Sequence, residues 1–544
     1  GRLKLPSCLE EEDIRRMVRG LFRVLLLILL HGTNGADTKP TLDWSPPKTC
    51  EGGWGKTECC CMTCNASGPV FNVTDSQLCE LKGGQCKLNS TSSYYRTRIP
   101  REPPMELLLR SAADDVEQVH LIGGSPDEVT VVFMTSALVD PTVVLRELSA
   151  ADSATATFLG VTSVHSSMIQ PAGWQGYLDP TGPFPGADYQ TCSQIHTEFR
   201  DGYKNASCYY TSDYVHTVIL SGLKPGTRYQ YLPGRSTQWR NFTTPPAIGT
   251  AIKLGVVSDL GQTSDSLSTM QHMMQEVEHG TIDAVVFPGD LSYADGFAPA
   301  WDTFGRLSQF LFQAVPTAYG VGNHEYATGT ENFASFLPRY GWPSAAKSRS
   351  PSPLWFSYEA GLAHVIMLCS YCSFGGGGAQ QAWLLKDLAA VNRTRTPWLV
   401  AAWHTPWYTT SNNHAMSEGQ DMREALESII YKHKVDVVFN GHVHAYERTL
   451  PVYQNKSQCD GPIHITIGDG GNKEGPACPW VAGDFGWTEL REFSFGFGVL
   501  NLVNKSHAHW AWHRNQDNAS VYADSVWLQP SSLRCEPEWL EVVV

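Results

Sequence analysis

The chain has 544 residues, more than one hydrophobic core ordinarily organises, so two or three domains are expected. Its formal net charge of −14 and isoelectric point near 5.7 argue against nucleic acid or an anionic membrane as the main partner. It contains no low-complexity tract and no long charge block.

From the N-terminus, Met17–Ala36 has the make-up of a secretory signal: Arg19 and Arg23, the apolar run Val24–Leu30, then the small pair Gly35-Ala36. The run is too short for a membrane span, although an N-terminal anchor is the competing reading. Residues 1–16 precede Met17 and are read as an upstream translation or gene-model extension, so 1–36 form one leader block. No apolar tail follows Trp539, so no lipid-anchor signal is expected.

Residues 37–104 form a Cys-rich segment and a linker marked by Pro100, Pro103 and Pro104. Of fifteen cysteines, Cys8 lies upstream of the signal, which leaves fourteen, and seven of these crowd between Cys50 and Cys86. That usage fits an oxidising compartment and disulfides, with zinc binding by Cys59–Cys64 as the rival. Cys192 with Cys208, Cys369 with Cys372 and Cys459 with Cys478 read as local pairs; Cys535 then closes the early set or bridges two subunits. Nine Asn-x-Ser/Thr acceptors, at 65, 72, 89, 205, 241, 392, 455, 504 and 518, agree with export. The expected location is secreted or extracellular, with the vacuole as the alternative.

From Gln118 the pattern turns to short alternating strands, Gln118–Leu121, Glu128–Phe133, Tyr214–Leu220 and Arg228–Tyr231, separated by turn signals at Ser125-Pro126-Asp127 and Lys224-Pro225-Gly226. This predicts an antiparallel β-sandwich over 115–246. The irregular stretch Val161–Asp201 reads as a structural insertion or as loops that rim a site. From Ala251 strands alternate with helical segments, including 264–279, 380–392 and 418–433, which predicts a layered α/β domain over 251–530 and leaves 531–544 as a tail. The fold class is therefore α+β multidomain.

Five short blocks in the α/β part carry the chemistry: Ser258-Asp259-Leu260-Gly261, Gly289-Asp290-Leu291-Ser292-Tyr293, Gly322-Asn323-His324-Glu325, Ala402-Trp403-His404 and Gly441-His442-Val443-His444. Each follows a short apolar, β-branched run (252–257, 284–287, 317–321, 398–402 and 435–439), which places it at the C-terminal end of a strand, where open α/β sheets collect ligands. Two Asp, one Tyr, one Asn and three His make seven donors of hard and borderline type, enough for two metals sharing a bridging carboxylate.

These blocks, together with His404-Thr405-Pro406-Trp407-Tyr408, Ala445-Tyr446-Glu447-Arg448, Gly468-Asp469-Gly470-Gly471-Asn472 and Trp512-His513-Arg514-Asn515-Gln516, resemble the metallophosphoesterase superfamily and, within it, the large plant-like purple acid phosphatases. The resemblance spans about residues 115–530. Many relatives carry Asp-x-His in the first block, where this chain has Asp259-Leu260-Gly261; the second block supplies Tyr293 instead. The resemblance implies a fibronectin-III-like identity for the sandwich and a calcineurin-like metallophosphoesterase domain after it. It also implies a ferric site made by Asp259, Asp290, Tyr293 and His444, and a divalent site (Zn, Mn or Fe) made by Asp290, Asn323, His404 and His442. Metal-activated hydroxide then attacks phosphorus in line. His324 corresponds to the imidazole that protonates the leaving alkoxide. Asp295 is read as orienting that imidazole, with a local loop cap as the alternative. His414 corresponds to one of two adjacent histidines that bind phosphate; here the pair is Asn413-His414, with one residue of difference in spacing. His507, His509 and His513 read as packed residues, and Glu325 as a tether between loops rather than a metal ligand.

The implied activity is a secreted acid phosphatase acting on phosphate monoesters. A phytase- or phosphodiester-preferring form of the same enzyme and a catalytically silent secreted glycoprotein are the alternatives. No nucleic-acid or membrane partner is expected, and the resemblance leaves a homodimer open.

Overall fold

The computed structural model describes residues 103–110, 115–148, 154–168, 209–326, 332–477, 480–517 and 521–535, and the backbone of a hairpin that pairs Glu80–Lys82 with Gln85–Lys87. The leader, most of the Cys-rich segment, Cys192, Cys208 and Cys478, acceptors Asn65, Asn72, Asn89, Asn205 and Asn518, most of the Val161–Asp201 stretch and residues 536–544 lie outside the described residues.

The first part is a sandwich of antiparallel strands: β1 (Glu117–Gly123), β2 (Glu128–Thr135), β3 (Thr142–Glu147), β4 (Ala156–Leu159), β5 (Val161–Ser163), β6 (Tyr214–Ser221), β7 (Arg228–Pro233) and β8 (Arg240–Thr243). One layer runs β8-β7-β3-β4 and the other β1-β2-β6-β5. Alternate residues turn inward, as a period of two requires, and Val129, Val131 and Phe133 of β2 meet Val143, Leu145, Tyr229, Tyr231 and Phe242 in one apolar cluster.

The second part has two mixed sheets. Strands β9 (Ile252–Val256), β10 (Ala284–Phe287) and β11 (Thr317–Tyr319) run parallel in the first. The second holds β12 (Phe356–Ala360), β13 (Ala363–Met367), β14 (Trp398–Ala402), β15 (Val437–Asn440), β16 (Tyr446–Thr449), β17 (Ile463–Ile467) and β18 (Thr488–Glu492), in the order β12-β13-β14-β15-β17-β16-β18. Strands β19 (Gly496–Leu502), β20 (Ala508–Arg514) and β21 (Asp524–Leu528) complete the first sheet on the free side of β9.

Alternation explains why these strands read as unbroken apolar runs. In β13–β15, Val365, Met367, Val400, Ala402, Val437 and Phe439 face the core shared with the first sheet. Ile366, Leu399, Ala401 and Val438 face the other way, onto helices α3 (Ala379–Ala390) and α4 (Gln420–Lys432). Helix α1 (Ser264–Glu278) is started by Thr263 in a reciprocal capping box with Ser266, and its Leu267, Met270 and Met273 join the main core, as do Trp301, Phe304, Leu307 and Leu311 of α2 (Pro299–Phe312).

The two expected domains share a sheet. Strand β1 pairs with β11 through Ile122 and Thr317, so the order β21-β20-β19-β9-β10-β11-β1-β2-β6-β5 runs from one into the other. Tyr231 donates to Gln313 O at 2.7 Å, and Arg240 to Gln313 Oε1 at 2.9 Å.

Cys369 bonds Cys372, as expected for so short a spacing. The expected Cys459–Cys478 pair gives way to Cys459–Cys535, because the chain beyond β21 folds back over the start of β15. There Arg534 donates to Gly461 O and Asp436 O, both at 2.7 Å, which brings Cys535 to Cys459 across 76 residues. Cys535 therefore neither closes the early cysteine set nor bridges subunits.

Candidate metal centre

Asp259 follows β9, Asp290 and Tyr293 follow β10, Asn323 and His324 follow β11, His404 follows β14, and His442 and His444 follow β15. The first three strands are neighbours in one sheet and the last two in the other, so two rows of strand ends supply one site.

The backbone there is strained in a consistent way. Asp259, Asp290, Tyr293 and His442 have φ of 55°, 55°, 54° and 70°, and Asp295 has 54°. Left-handed φ in non-glycine residues costs roughly 1–3 kcal/mol each and survives where surrounding structure imposes it. The turns are also close-packed. A Cβ at Gly441 would meet Ser258 Oγ at 2.2 Å and Asp259 Oδ2 at 2.3 Å, and one at Gly322 would meet Asp290 Oδ1 at 2.1 Å. Glu325, fully buried, ties the loops after β10 and β11 together by accepting from Asp290 N, Leu291 N and Gly322 N at 2.7–2.8 Å.

The donors form two adjoining groups. Tyr293 hydroxyl donates to Asp259 Oδ1 at 3.0 Å and lies 2.9 Å from His444 Nε2. Asn323 Oδ1 lies 2.9 Å from His442 Nδ1 and 3.1 Å from His404 Nε2. His404 Nε2 joins the groups, 2.9 Å from Asp290 Oδ2 and 3.9 Å from Asp259 Oδ1. The His404–Asp290 approach lacks hydrogen-bond alignment, and Asp290 Oδ2 is a buried oxygen without a hydrogen-bond partner among the described residues. Such a carboxylate among imidazoles and an amide oxygen suits cations of the divalent and trivalent first-row kind. Burial and the Asp259 carboxylate push the Tyr293 phenol well above 10 in the protein alone, which a strongly charged cation reverses.

His324 sits at the edge of this cluster, its ring 4.0 Å from that of Tyr293. Its Nδ1 is hydrogen-bonded to Asp295, whose other oxygen accepts from Lys473 Nζ at 2.7 Å. Burial opposes charge on the imidazole, but Asp295 and Asp290 outweigh it and hold the group well above the usual histidine range. Among the described residues Nε2 makes no hydrogen bond, and it lies 3.8 Å from Asp290 Oδ2 and 3.8 Å from Glu474 Oε1. The His414 ring lies 4.2 Å from that of His442, tilted by 49°, and meets Glu418 Oε2 through Nδ1 at 3.3 Å.

Asp290, Asn323, His324, His414, His442 and His444 line a cavity of about 510 Å³ that Tyr371, Thr405, Asn413, Glu418 and Glu474 also reach. A larger cavity of about 940 Å³, around Trp342, His364 and Trp383, contains none of the seven donors. Sequence reasoning passed over Glu418, Tyr371, Lys473 and Glu474. Glu418 stands four residues after His414, and Lys473-Glu474 directly follow Gly470-Gly471-Asn472, which were the available signals. His507, His509 and His513 lie elsewhere: His513 is buried against Phe497 at 4.8 Å, His509 bonds Ser525, and His507 bonds Ser506.

Fold and site together are those of a metallophosphoesterase. Three family models match in series: the purple acid phosphatase N-terminal domain over 116–244, the calcineurin-like phosphoesterase over 252–446, and the iron/zinc purple acid phosphatase-like protein C over 461–524. The chain is 38% identical to purple acid phosphatase 22 of Arabidopsis thaliana over 397 residues, which is 72% of this chain and 86% of that one. It is 40% identical over 358 residues to the Fe(3+)-Zn(2+) purple acid phosphatase 12 of the same plant, covering 61% and 75%. Its fold matches purple acid phosphatase PPD1 from yellow lupin (Lupinus luteus) with a TM-score of 0.61 at 22% identity, over 76% of this chain and 74% of that one. The chain belongs to the purple acid phosphatases.

Proposed function

We propose that the chain is an acid phosphatase that hydrolyses phosphate monoesters at a dinuclear centre of Fe(III) and a divalent metal, zinc being the one named for a relative. In this reading Asp259, Tyr293 and His444 would hold the ferric ion, Asn323, His404 and His442 would hold the divalent one, and the Asp290 carboxylate would serve both. The observation that carries it is the junction of the two donor groups, where His404 Nε2 lies 2.9 Å from Asp290 Oδ2 and 3.9 Å from Asp259 Oδ1. When bound, the metal pair supplies an acidic water for attack on phosphorus and positive charge against the phosphoryl oxygens. His324 Nε2–H, held charged and oriented through Nδ1 by Asp295, donates the proton to the leaving alkoxide. His414, beside His442 on the cavity wall, offers a further donor to the phosphate.

Replacing Asp290 by Ala tests the bridge: both metals and turnover of an aryl phosphate should be lost, and an active, metal-replete variant sinks the assignment. Replacing Tyr293 by Phe should bleach the visible tyrosinate band; a retained band puts the ferric ligand elsewhere.

We further propose that the protein is exported. Its signal-like segment at 17–36 supports this, as do two disulfides and four described acceptors, Asn241, Asn392, Asn455 and Asn504, all exposed. Among the described residues no helix is long and apolar enough to cross a membrane. A mass shift of the mature protein on enzymatic deglycosylation is the check, and its absence from every exported fraction would refute the reading.

A further inference from the structure

The short turn that leaves β13 touches the candidate centre, although none of its residues belongs to the expected ligand set. Cys369, fully buried, is joined to Cys372. The buried side chain of Gln380 holds the same residue from the other side, donating to Cys369 O at 3.0 Å and accepting from Cys369 N at 2.7 Å. Between the cysteines, Ser370 Oγ accepts from Thr405 N at 3.0 Å. Tyr371 hydroxyl lies 2.9 Å from Thr405 Oγ1 and donates to Asn323 Oδ1 at 3.2 Å. The Tyr371 ring is stacked on Tyr326 at 5.8 Å and 11°, which fixes the direction of its hydroxyl.

The turn thus grips both loops of the divalent side, the one that carries Asn323 and the one that continues from His404 into Thr405. Asn323 is the feature most in need of such support. A neutral amide is a weak metal ligand, and either end of it can face the site. A hydroxyl donor aimed at Oδ1 selects the oxygen, and a partner of this kind ordinarily changes metal affinity by 10–100-fold. A four-residue ring closed by a disulfide and clamped by Gln380 leaves Tyr371 little freedom to drift.

We propose that Tyr371, held by the Cys369–Cys372 turn, is a positioning residue that fixes the Asn323 carbonyl for the divalent side of the centre. The inference rests on the ligand reading given above. The test uses the full-length holoenzyme and follows release of the divalent metal into a chelator, the visible tyrosinate band, and kcat and KM for an aryl phosphate. Tyr371→Phe should release the divalent metal about tenfold faster, keep the band, and regain kcat when excess divalent metal is added. Cys369→Ser/Cys372→Ser should shift release in the same direction. Release within twofold of the parent in Tyr371→Phe overturns the proposal, and so does concurrent bleaching of the band, which would mark a general collapse. Asn323→Ala separates the two layers: unchanged divalent occupancy in that variant means that the ligand reading has failed, whatever Tyr371→Phe does.

Discussion

Glu418 Oε2 lies 2.6 Å from His442 Nε2, while Nδ1 of the same ring faces Asn323 Oδ1 at 2.9 Å. The carboxylate accepts a hydrogen bond from Nε2–H and leaves the Nδ1 lone pair turned toward the site, so the tautomer is set from outside the ligand set. Burial draws the His442 imidazole down to about 4, which keeps it neutral and able to bind a cation in mild acid. Glu418→Gln should therefore loosen the divalent metal by about tenfold and leave the tyrosinate band in place. Equilibrium dialysis against a graded chelator reads this directly; an unchanged affinity would reduce Glu418 to a surface carboxylate.

The shared sheet makes a second expectation. Val119 N donates to Gln309 Oε1 at 2.9 Å, Arg306 pairs with Glu117 at 2.7 Å, and Ile122, Val132, Met134 and Val215 belong to the same apolar cluster as Tyr319 and Tyr340. A fragment that starts at residue 247 loses these partners and lays bare the β11 edge and one flank of α2. It should bind a hydrophobic dye and lack a near-ultraviolet circular dichroism signal. A cooperative melt close to that of the full chain would show that the second part folds alone.

This continuity also marks the boundary of what was legible in the sequence. The five ligand blocks stood out because each sits behind a run of β-branched residues, and Ile252–Val256, Ala284–Phe287, Thr317–Tyr319, Trp398–Ala402 and Val437–Asn440 are strands. The helical segments expected at 264–279, 380–392 and 418–433 are helices at 264–278, 379–390 and 420–432. The pairing of Ile122 with Thr317 was not legible, because a single parallel bridge between segments nearly 200 residues apart leaves no local pattern. Glu418 and Glu474 stand close in sequence to named motif residues, but only loop packing brings them, and Tyr371, to the cavity. Proximity in sequence pairs Cys459 with Cys478, whereas the course of the chain after β21 pairs it with Cys535.

That disulfide closes a loop of 76 residues and pins the end of the described chain to the start of β15. In the chain-entropy account a cross-link of this span is worth about 4 kcal/mol. Cys459→Ser/Cys535→Ser should lower the denaturant midpoint accordingly. It should leave kcat/KM within a factor of two, because neither residue lines the 510 Å³ cavity. A larger catalytic loss would mean that β15 carries the disturbance to His442.

His464 sets a pH limit on the fold. It is buried in β17 among Trp403, Trp407 and Tyr408, with ring centroids at 6.1, 6.0 and 5.0 Å, and its Nδ1 has no hydrogen-bond partner among the described residues. Burial, aided by the charge of Arg423, pushes its pKa down from 6.5 to about 3. The folded chain therefore stays unprotonated at this position in a range where the unfolded chain takes up a proton. The contribution is fully present above pH 6.5 and is lost as pH falls from 6.5 toward 3, with a slope of about 1.4 kcal/mol per pH unit. Urea denaturation of the parent and of His464→Phe at pH 7.0 and 4.5 isolates this group, since the other titrations cancel in the difference. The stability gap between the two proteins should move by roughly 2–3 kcal/mol in favour of the variant as pH falls. Parallel curves would mean that His464 gains its proton equally in both states, and the acid limit of the fold would then belong to other buried groups.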